Sequence, residues 1–406
     1  GNPYGNSPLN LGGFALPEII DSFIIPAFLP LSGDLGIQGQ SNLRAIQSAA
    51  EDFNFFLQSE GVTGELQINP IDTSTNPDIA IAKLNELKDS NNSHIIIGPY
   101  DSASIEAILP YAQNNDYISI SPSSTVTALR GLDDNAFFLM LDNDNESEAI
   151  AHMFSELNIN AVIPVWRNDT YGNDLKTLVT TKFRDLGGFV EEGISYEVNE
   201  TDFHSLVSEL ETQVHSALSR FGQKHIGILL ISYEETATIF SSVDSQSILN
   251  NGQWGGCDAN FRNSSILENS ASASFAAKVK FWAPAFTPEF SLDYSYNPTK
   301  TFIRQEIEAM IDSSLQTYGV APNIFDYNSY DALWLSAFAQ MSSGIGSTDA
   351  ASLKNHLLTI ANLYYGLSSR VYLTEVGDRI YGEFAFAAFV PYQDDYTWKY
   401  VASYGF

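Results

Sequence analysis

Apolar residues along this chain arrive in short unbroken runs, separated by longer stretches with helical spacing. Ser22–Phe28, Glu65–Ile71, Ile95–Ile97 and Tyr117–Ile120 have the length and content of buried strands. Between them, Asn42–Leu57 places Leu43, Ile46, Ala50, Phe53 and Leu57 on one helical face. Asp78–Leu87 and a segment opening near Ser102 read as the next helices. Strands alternating with helices in this way predict a mostly parallel sheet with right-handed crossovers. Ala136–Leu141 ends this first cycle, and the alternation restarts after the polar run Asp142–Glu148. The second cycle comprises strand Ala161–Trp166, helix Tyr171–Leu186, strand Gly188–Tyr196, helix Phe203–Ser219 and strand His225–Ile231. Ala277–Pro284 reads as its last strand. Three helices follow, Thr301–Tyr318, Phe325–Met341 and Ala350–Leu363. Aromatic, alternating segments at Val371–Leu373, Gly382–Val390 and Trp398–Ala402, with a turn at Gly377-Asp378, predict hairpins. Two α/β cycles of similar length predict two similar lobes.

The loops at the strand ends carry the candidate chemistry. Ile95–Ile97 runs into a Gly-Pro turn and a helix near Ser102, and Tyr117–Ile120 breaks at Ser121-Pro122-Ser123-Ser124-Thr125. Loops at the carboxyl edge of an open α/β sheet are where ligands bind. A helix N-terminus there offers free N–H groups and the positive end of a dipole, which suits a carboxylate. In isolation, Ser102 and Ser121 are equally at home as helix and turn caps; the paired loops favour a binding site. The acids Asp142, Asp144, Glu146 and Glu148 lack the glycine of a calcium loop, and capping of a helix by Asp144 or Asn145 accounts for them better.

Charge narrows the classes of partner. Asp and Glu number 49 against 19 Lys and Arg, a formal net charge of -30, which repels nucleic acid and anionic lipid. Cys257 is the single cysteine, so neither an internal disulfide nor a cysteine metal site forms. The apolar runs are all shorter than the roughly 18 residues a membrane span needs. Residues 1–19 begin Asn/Gly/Pro-rich and read as a flexible lead or tether. The sequence has no G-x-S-x-G elbow, H-E-x-x-H helix, Walker A loop or G-x-G-x-x-G fingerprint, and its histidines lack metal-ligand spacing. Neither an enzyme nor a cofactor is expected.

With both cycles in view, the chain resembles the type I periplasmic binding proteins, in particular the branched-chain amino-acid (Leu/Ile/Val-type) receptors of ABC transporters. The marks are Leu29-Pro30-Leu31-Ser32-Gly33, I-G-P-x-x-S at Ile97–Ser102, S-P-S-S-T at Ser121–Thr125, Tyr171-Gly172, and G-x-D at Gly256–Asp258. Tyr330-Asp331-Ala332 and Gly377-Asp378-Arg379 complete the set. The resemblance implies an α/β fold of two similar Rossmann-like lobes with parallel-sheet cores, joined by a three-strand hinge. It puts residues 20–141 and 284–366 in lobe 1, and 142–283 and 367–406 in lobe 2.

It also implies a function and a site. A bilobal receptor outside the cytoplasm, tethered to the membrane through its lead and monomeric or weakly dimeric, captures an amino acid or close analogue by hinge closure. It then passes the ligand to an ABC permease. Ser102 falls on the position that meets the ligand carboxylate, and Ser123, Ser124 and Thr125 on the loop that holds carboxylate and ammonium. Tyr171 and Tyr233 fall where the second lobe covers the ligand, and Asp258 on the acid that pairs with the ammonium. Gln38 stands where relatives often have an aromatic residue, implying a more polar side-chain pocket. Glu234 and Glu235 add acid nearby, as ligand contacts or as first-turn helix residues. A sensory receptor ectodomain and a urea or short-amide binder are the alternatives within the same fold.

Overall fold

A computed structural model describes residues 16–87, 93–285, 298–319, 321–380 and 382–405. In chain order the first elements are β1 (Phe23–Leu29), α1 (Gly36–Ser59), β2 (Leu66–Asp72), α2 (Pro77–Glu86), β3 (Ile95–Ile97), α3 (Ser102–Asn114), β4 (Ile118–Ser121) and β5 (Ala136–Phe138). Then come α4 (Asn143–Glu156), β6 (Ala161–Arg167), α5 (Thr170–Asp185), β7 (Phe189–Val190), β8 (Ile194–Tyr196), α6 (His204–Phe221), β9 (Ile226–Ile231) and α7 (Thr236–Ser241). After β10 (Gln253–Gly255) the chain makes α8 (Ser265–Glu268), α9 (Ser270–Lys278) and β11 (Trp282–Ala285). The remainder is α10 (Pro298–Tyr318), α11 (Ile324–Ser343), α12 (Ala350–Leu363), β12 (Tyr365–Gly366), β13 (Ser369–Arg370), β14 (Glu383–Tyr392) and β15 (Asp395–Gly405). The chain divides into two compact units, Gly1–Leu141 with Thr287–Tyr381, and Asp142–Phe286 with Gly382–Phe406.

The first unit is built on a parallel sheet of order β2-β1-β3-β4-β5. Its apolar strands are enclosed on both faces, as parallel strands require. On one face Phe53 and Phe56 of α1 meet Trp334 and Phe338 of α11, with Phe53 edge-on to both partners at 5.2 Å between ring centroids. Burying each such side chain contributes roughly 1.5–3 kcal/mol.

Helix α11 is buried from Ile324 to Gln340, so its polar side chains must find partners inside the protein. Asp331 accepts the Tyr364 hydroxyl (2.8 Å), the N–H groups of Leu367 (2.8 Å) and Ser368 (2.9 Å), and the Ser368 hydroxyl (2.5 Å). Arg379, also buried, donates to the carbonyls of Leu139 (3.0 Å) and Ser368 (2.7 Å). These bonds correct the expected boundary at Gly366. The stretch from Leu367 to Tyr381 belongs to the first unit, because Asp331 and Arg379 hold it there and Leu367, Val371 and Leu373 enter that unit's core. Likewise, Glu18–Ile20 is no free lead: Thr63 bonds to the Glu18 carbonyl and the Ile20 N–H. Residues 1–15 of the expected lead lie outside the described residues.

The second unit carries an eight-stranded sheet, β15-β14-β11-β10-β9-β6-β7, with β8 also on β6. The strands from β6 to β11 run parallel, and β14 joins β11 antiparallel. Several expected elements differ in extent. Helix α1 starts at Gly36, ahead of Asn42, and Gly39 within it is a packing residue, not a helix breaker: a Cβ there would sit 1.9 Å from the Pro30 carbonyl. Gly188–Tyr196 is two short strands interrupted at Gly193, whose φ is +72°. Ala277 and Lys278 end helix α9, leaving β11 to begin at Trp282. Val371–Leu373 forms no strand; Leu373 makes one bridge to Arg379 across the Gly377 turn. Helix α4 is capped by Asp142, which accepts the Asn145 N–H at 3.0 Å, rather than by Asp144 or Asn145.

Candidate functional site

Every site residue expected from the sequence except Gln38 lies just beyond the carboxyl end of a parallel strand, the edge where α/β sheets bind ligands. In the first unit the loops after β3 and β4 lie side by side. Three serine hydroxyls join them like rungs: Ser119 to the Gly98 carbonyl (2.6 Å), Ser121 to Pro99 (3.1 Å) and Ser123 to Tyr100 (2.6 Å). The alternation of a strand puts these serines on one side. Gly98 has φ +87°, and its missing Cβ would fall 2.2 Å from the Phe28 carbonyl, so only glycine fits this turn.

The hydroxyls of Ser102 and Ser124 meet at 3.0 Å, both residues being buried. A pair of hydroxyls uses one hydrogen between them and leaves the other to donate elsewhere. Ser102 opens α3, and Asp101 caps the helix through the Ser104 N–H (2.9 Å). The first-turn N–H groups have no acceptor within the helix and create a positive end beside the two hydroxyls. Arg130 braces the loop through the Ser124 carbonyl (2.8 Å), and Asn328 through the Pro122 carbonyl (2.8 Å). Thr125 is buried on the same loop. Thus Ser102, Ser123, Ser124 and Thr125 come together, with the Ser123 hydroxyl engaged in the ladder. Gln38 does not join them. Its amide exchanges hydrogen bonds with Asn323 at the start of α11 (2.6 Å) and reaches Asp326 (3.1 Å).

In the second unit the loops after β6, β9 and β10 bring Tyr171, Tyr233 and Asp258 together. The Tyr171 hydroxyl donates to Asp258 Oδ1 at 2.6 Å, and its ring stacks on Tyr233 at 5.3 Å. Gly172 makes this approach possible, since a Cβ there would fall 2.0 Å from the Arg167 carbonyl. Arg167, Glu235 and Glu146 complete the cluster. Arg167, at the end of β6, lies 3.8 Å over the Tyr233 ring and pairs with Asp169 (2.6 Å) and Glu235 (2.7 Å). Glu235 also accepts the Tyr196 hydroxyl at 2.6 Å, so this acid supports the cluster instead of reaching for ligand. Burial works against the Arg167 charge, yet the Glu235 carboxylate holds its pKa well above the usual value. Glu146, in the first turn of α4, accepts the Asp258 N–H at 2.8 Å and is fully buried.

Burial raises the Asp258 carboxyl to about 6, against the opposing hydrogen bond from Tyr171. Burial and the charge of Asp258 push Glu146 well above the ordinary carboxylate range. Burial likewise raises the Cys257 thiol far above its usual value, which makes it unreactive. Among the described residues no cluster of His, Cys, Asp and Glu is suited to a metal ion, and no helix is long and apolar enough to cross a membrane.

The chain has the fold of the type I periplasmic binding proteins, and its residues 24–219 match the sequence model described as periplasmic binding protein. Among solved structures it is similar to a leucine-binding protein of Thermotoga maritima, with TM-score 0.73 and 19% identity over 94% of this chain and 98% of that one. A branched-chain amino-acid transporter substrate-binding protein of Streptococcus pneumoniae, solved with isoleucine, gives TM-score 0.72 and 16% identity over 94% and 99%. An ABC-transporter solute-binding protein of Rhodopseudomonas palustris, solved with 3,4-dihydroxybenzoic acid, gives 0.73 and 13% over 96% and 98%. In sequence, an uncharacterized protein of Methanocaldococcus jannaschii is 25% identical over 88% of this chain and 84% of its own length.

Proposed function

We propose that this chain is an extracytoplasmic solute-binding receptor of an ABC transporter, and that its ligand is an amino acid or close analogue. The observation that carries the reading is chemical complementarity to a zwitterion. The first unit offers the Ser102 and Ser124 hydroxyls at a helix N-terminus, which suit a carboxylate. The second offers Asp258, whose Oδ2 is buried without a donor among the described residues, which suits an ammonium. Charge-assisted hydrogen bonds of this kind are short and strong. The leucine and isoleucine proteins of the same fold support the class of ligand. Ligand contacts made by both units at once would bias an open–closed equilibrium toward the closed form. The partner is then a membrane permease, and the location is outside the cytoplasm.

Thermal-shift screening against the twenty amino acids, urea, short amides and small carboxylates tests this. A ligand at about 100 times its Kd stabilises by about 2.7 kcal/mol. An amino-acid hit lost in Asp258→Ala supports the reading, because truncating a buried charge partner costs roughly 2–5 kcal/mol. A hit with a carboxylate lacking an ammonium, as in the R. palustris protein, or with an amide, refutes the role of Asp258. Silence across the panel refutes the amino-acid reading and favours a receptor ectodomain for a larger ligand.

A further inference from the structure

We propose that Glu146 is a second acid of the ligand site: it holds one proton between its carboxyl and that of Asp258, and releases it when a cationic group docks. This rests on the amino-acid reading above. Acids in the first turn of a helix ordinarily face water, where they complement the dipole. Glu146 is instead turned fully inward, and its Oε1 holds the Asp258 backbone N–H at 2.8 Å. Tyr171 fills Asp258 Oδ1. The other two oxygens, Glu146 Oε2 and Asp258 Oδ2, are buried and receive no N–H or hydroxyl donor among the described residues. A hydrogen bond between the two carboxyls, which the Asp258 backbone contact holds side by side, would satisfy both oxygens. Ionised carboxylates only accept, so that bond requires a proton on one of them.

Among the described residues the pair has no counter-ion. Tyr171 faces it from α5, and Cys257 adjoins it on the loop after β10. Tyr233 stacks behind Tyr171, and Arg167 beyond Tyr233 is already paired with Asp169 and Glu235. The remaining charged or titratable neighbours of α4 engage its other residues. Lys182 binds Asp144, Asp174 binds Asn143, and Tyr404 donates to Glu148 and stacks on His152. Two buried negative charges in contact repel, so at neutral pH the pair keeps one proton, on Glu146, and carries one charge. The elevated pKa of Glu146 agrees with this.

An ammonium brings its own N–H donors to Oδ2 and Oε2 and takes over the task of the shared proton. The Glu146 O–H bond then breaks heterolytically: the electron pair stays on the carboxylate and the proton leaves to solvent. The site gains a second negative charge only when a cation is present to balance it. Such a site rejects a neutral amide or an anion.

Glu146→Gln is the decisive variant. Its amide oxygen retains the bond to the Asp258 N–H, and its NH2 group donates to Asp258 as the protonated acid does. In infrared spectra of the ligand-free protein at neutral pH, the wild type shows one protonated-carboxyl C=O band beyond those of other protonated acids such as Glu306, and Glu146→Gln lacks that one. Absence of that band from the wild type, or its persistence in the variant, overturns the shared proton. Calorimetry with the twenty L-amino acids as probes, in phosphate and in Tris buffer, reads proton release. The expected result is release of about one proton per bound ligand, an affinity that rises about tenfold per pH unit, and the loss of both effects in Glu146→Gln. An amino acid that binds without proton release overturns the exchange. If no amino acid binds while the band behaves as expected, the amino-acid reading and the exchange both fall, and Glu146 is left as a structural acid.

Discussion

The Tyr171 hydroxyl donates to the Asp258 side chain, and removing it tests how the second unit sets the charge of its acid. Tyr171→Phe keeps the ring and its stack on Tyr233 but deletes the 2.6 Å bond to Asp258 Oδ1. A hydrogen bond to a charged group is worth about 1.5–3 kcal/mol, and each pH unit of pKa shift corresponds to about 1.4 kcal/mol. The lost bond stabilised the ionised form, so the carboxyl rises by about one to two units from its already elevated value of about 6. At pH 7 its ionised fraction falls from roughly nine tenths to between about a half and a tenth. Carboxyl-carbon NMR across the pH range, with Asp258→Asn to assign the resonance, measures this directly. For an ammonium ligand, affinity at neutral pH falls by about two- to tenfold and recovers in alkali. A variant in which Asp258 still titrates near its wild-type value refutes the claim that Tyr171 holds the acid ionised.

Three further outcomes are expected. Arg167→Met leaves the carboxylates of Asp169 and Glu235 without their buried partner and should cost about 3–5 kcal/mol by denaturant unfolding; a loss below about 1 kcal/mol refutes the ion-pair account. Asp331→Ala removes the acceptor of four buried hydrogen bonds, with a destabilisation of comparable size, and increased amide exchange at Leu367 and Ser368 is its specific mark. Glu306, raised to about 8 by burial and the charge of Asp52, binds more protons in the folded state than in the unfolded one. Its contribution to stability is full below its unfolded pKa near 4.5 and falls away as pH rises through about 8. Melting curves over that window should fall less steeply for Glu306→Gln than for the wild type, and identical slopes refute the assignment.

The alternating cycles in the sequence were enough to read the parallel sheets, because each run such as Ile95–Ile97 or Ile226–Ile231 needs only its own residues to declare a buried strand. The serine loop could be singled out for a related reason, since it follows such a run directly, whereas Tyr171, Tyr233 and Asp258 were named only through the resemblance. Contacts between distant positions were not legible. The inward turn of Glu146 depends on Asp258, which lies over a hundred residues further along the chain, and four acids in one stretch read as a solvated helix start. Val371–Leu373 carries a strand pattern yet forms no strand, and the place of the stretch after Gly366 follows from Asp331 and Arg379. Gly36 and Gly39 weaken the helical signal at the start of α1, although close packing against Pro30 is the reason glycine stands at 39. Gln38, assigned by resemblance to the ligand, is held by Asn323 and Asp326, partners almost three hundred residues away.

The late segment between Leu367 and Tyr381 also bears on biosynthesis. As the chain leaves the ribosome, the five strands of the first sheet emerge early, yet the hook that satisfies Asp331 and supplies Arg379 arrives only after most of the other unit has been made. The second sheet waits longer still, since β11 gains its antiparallel neighbour only with β14. Both units therefore stay incomplete until the segment from Tyr364 through β15 is out, and a nascent chain halted before Tyr364 carries two unfinished cores. Exposure of the two cores to aggregation therefore lasts until the segment from Tyr364 through β15 has been made.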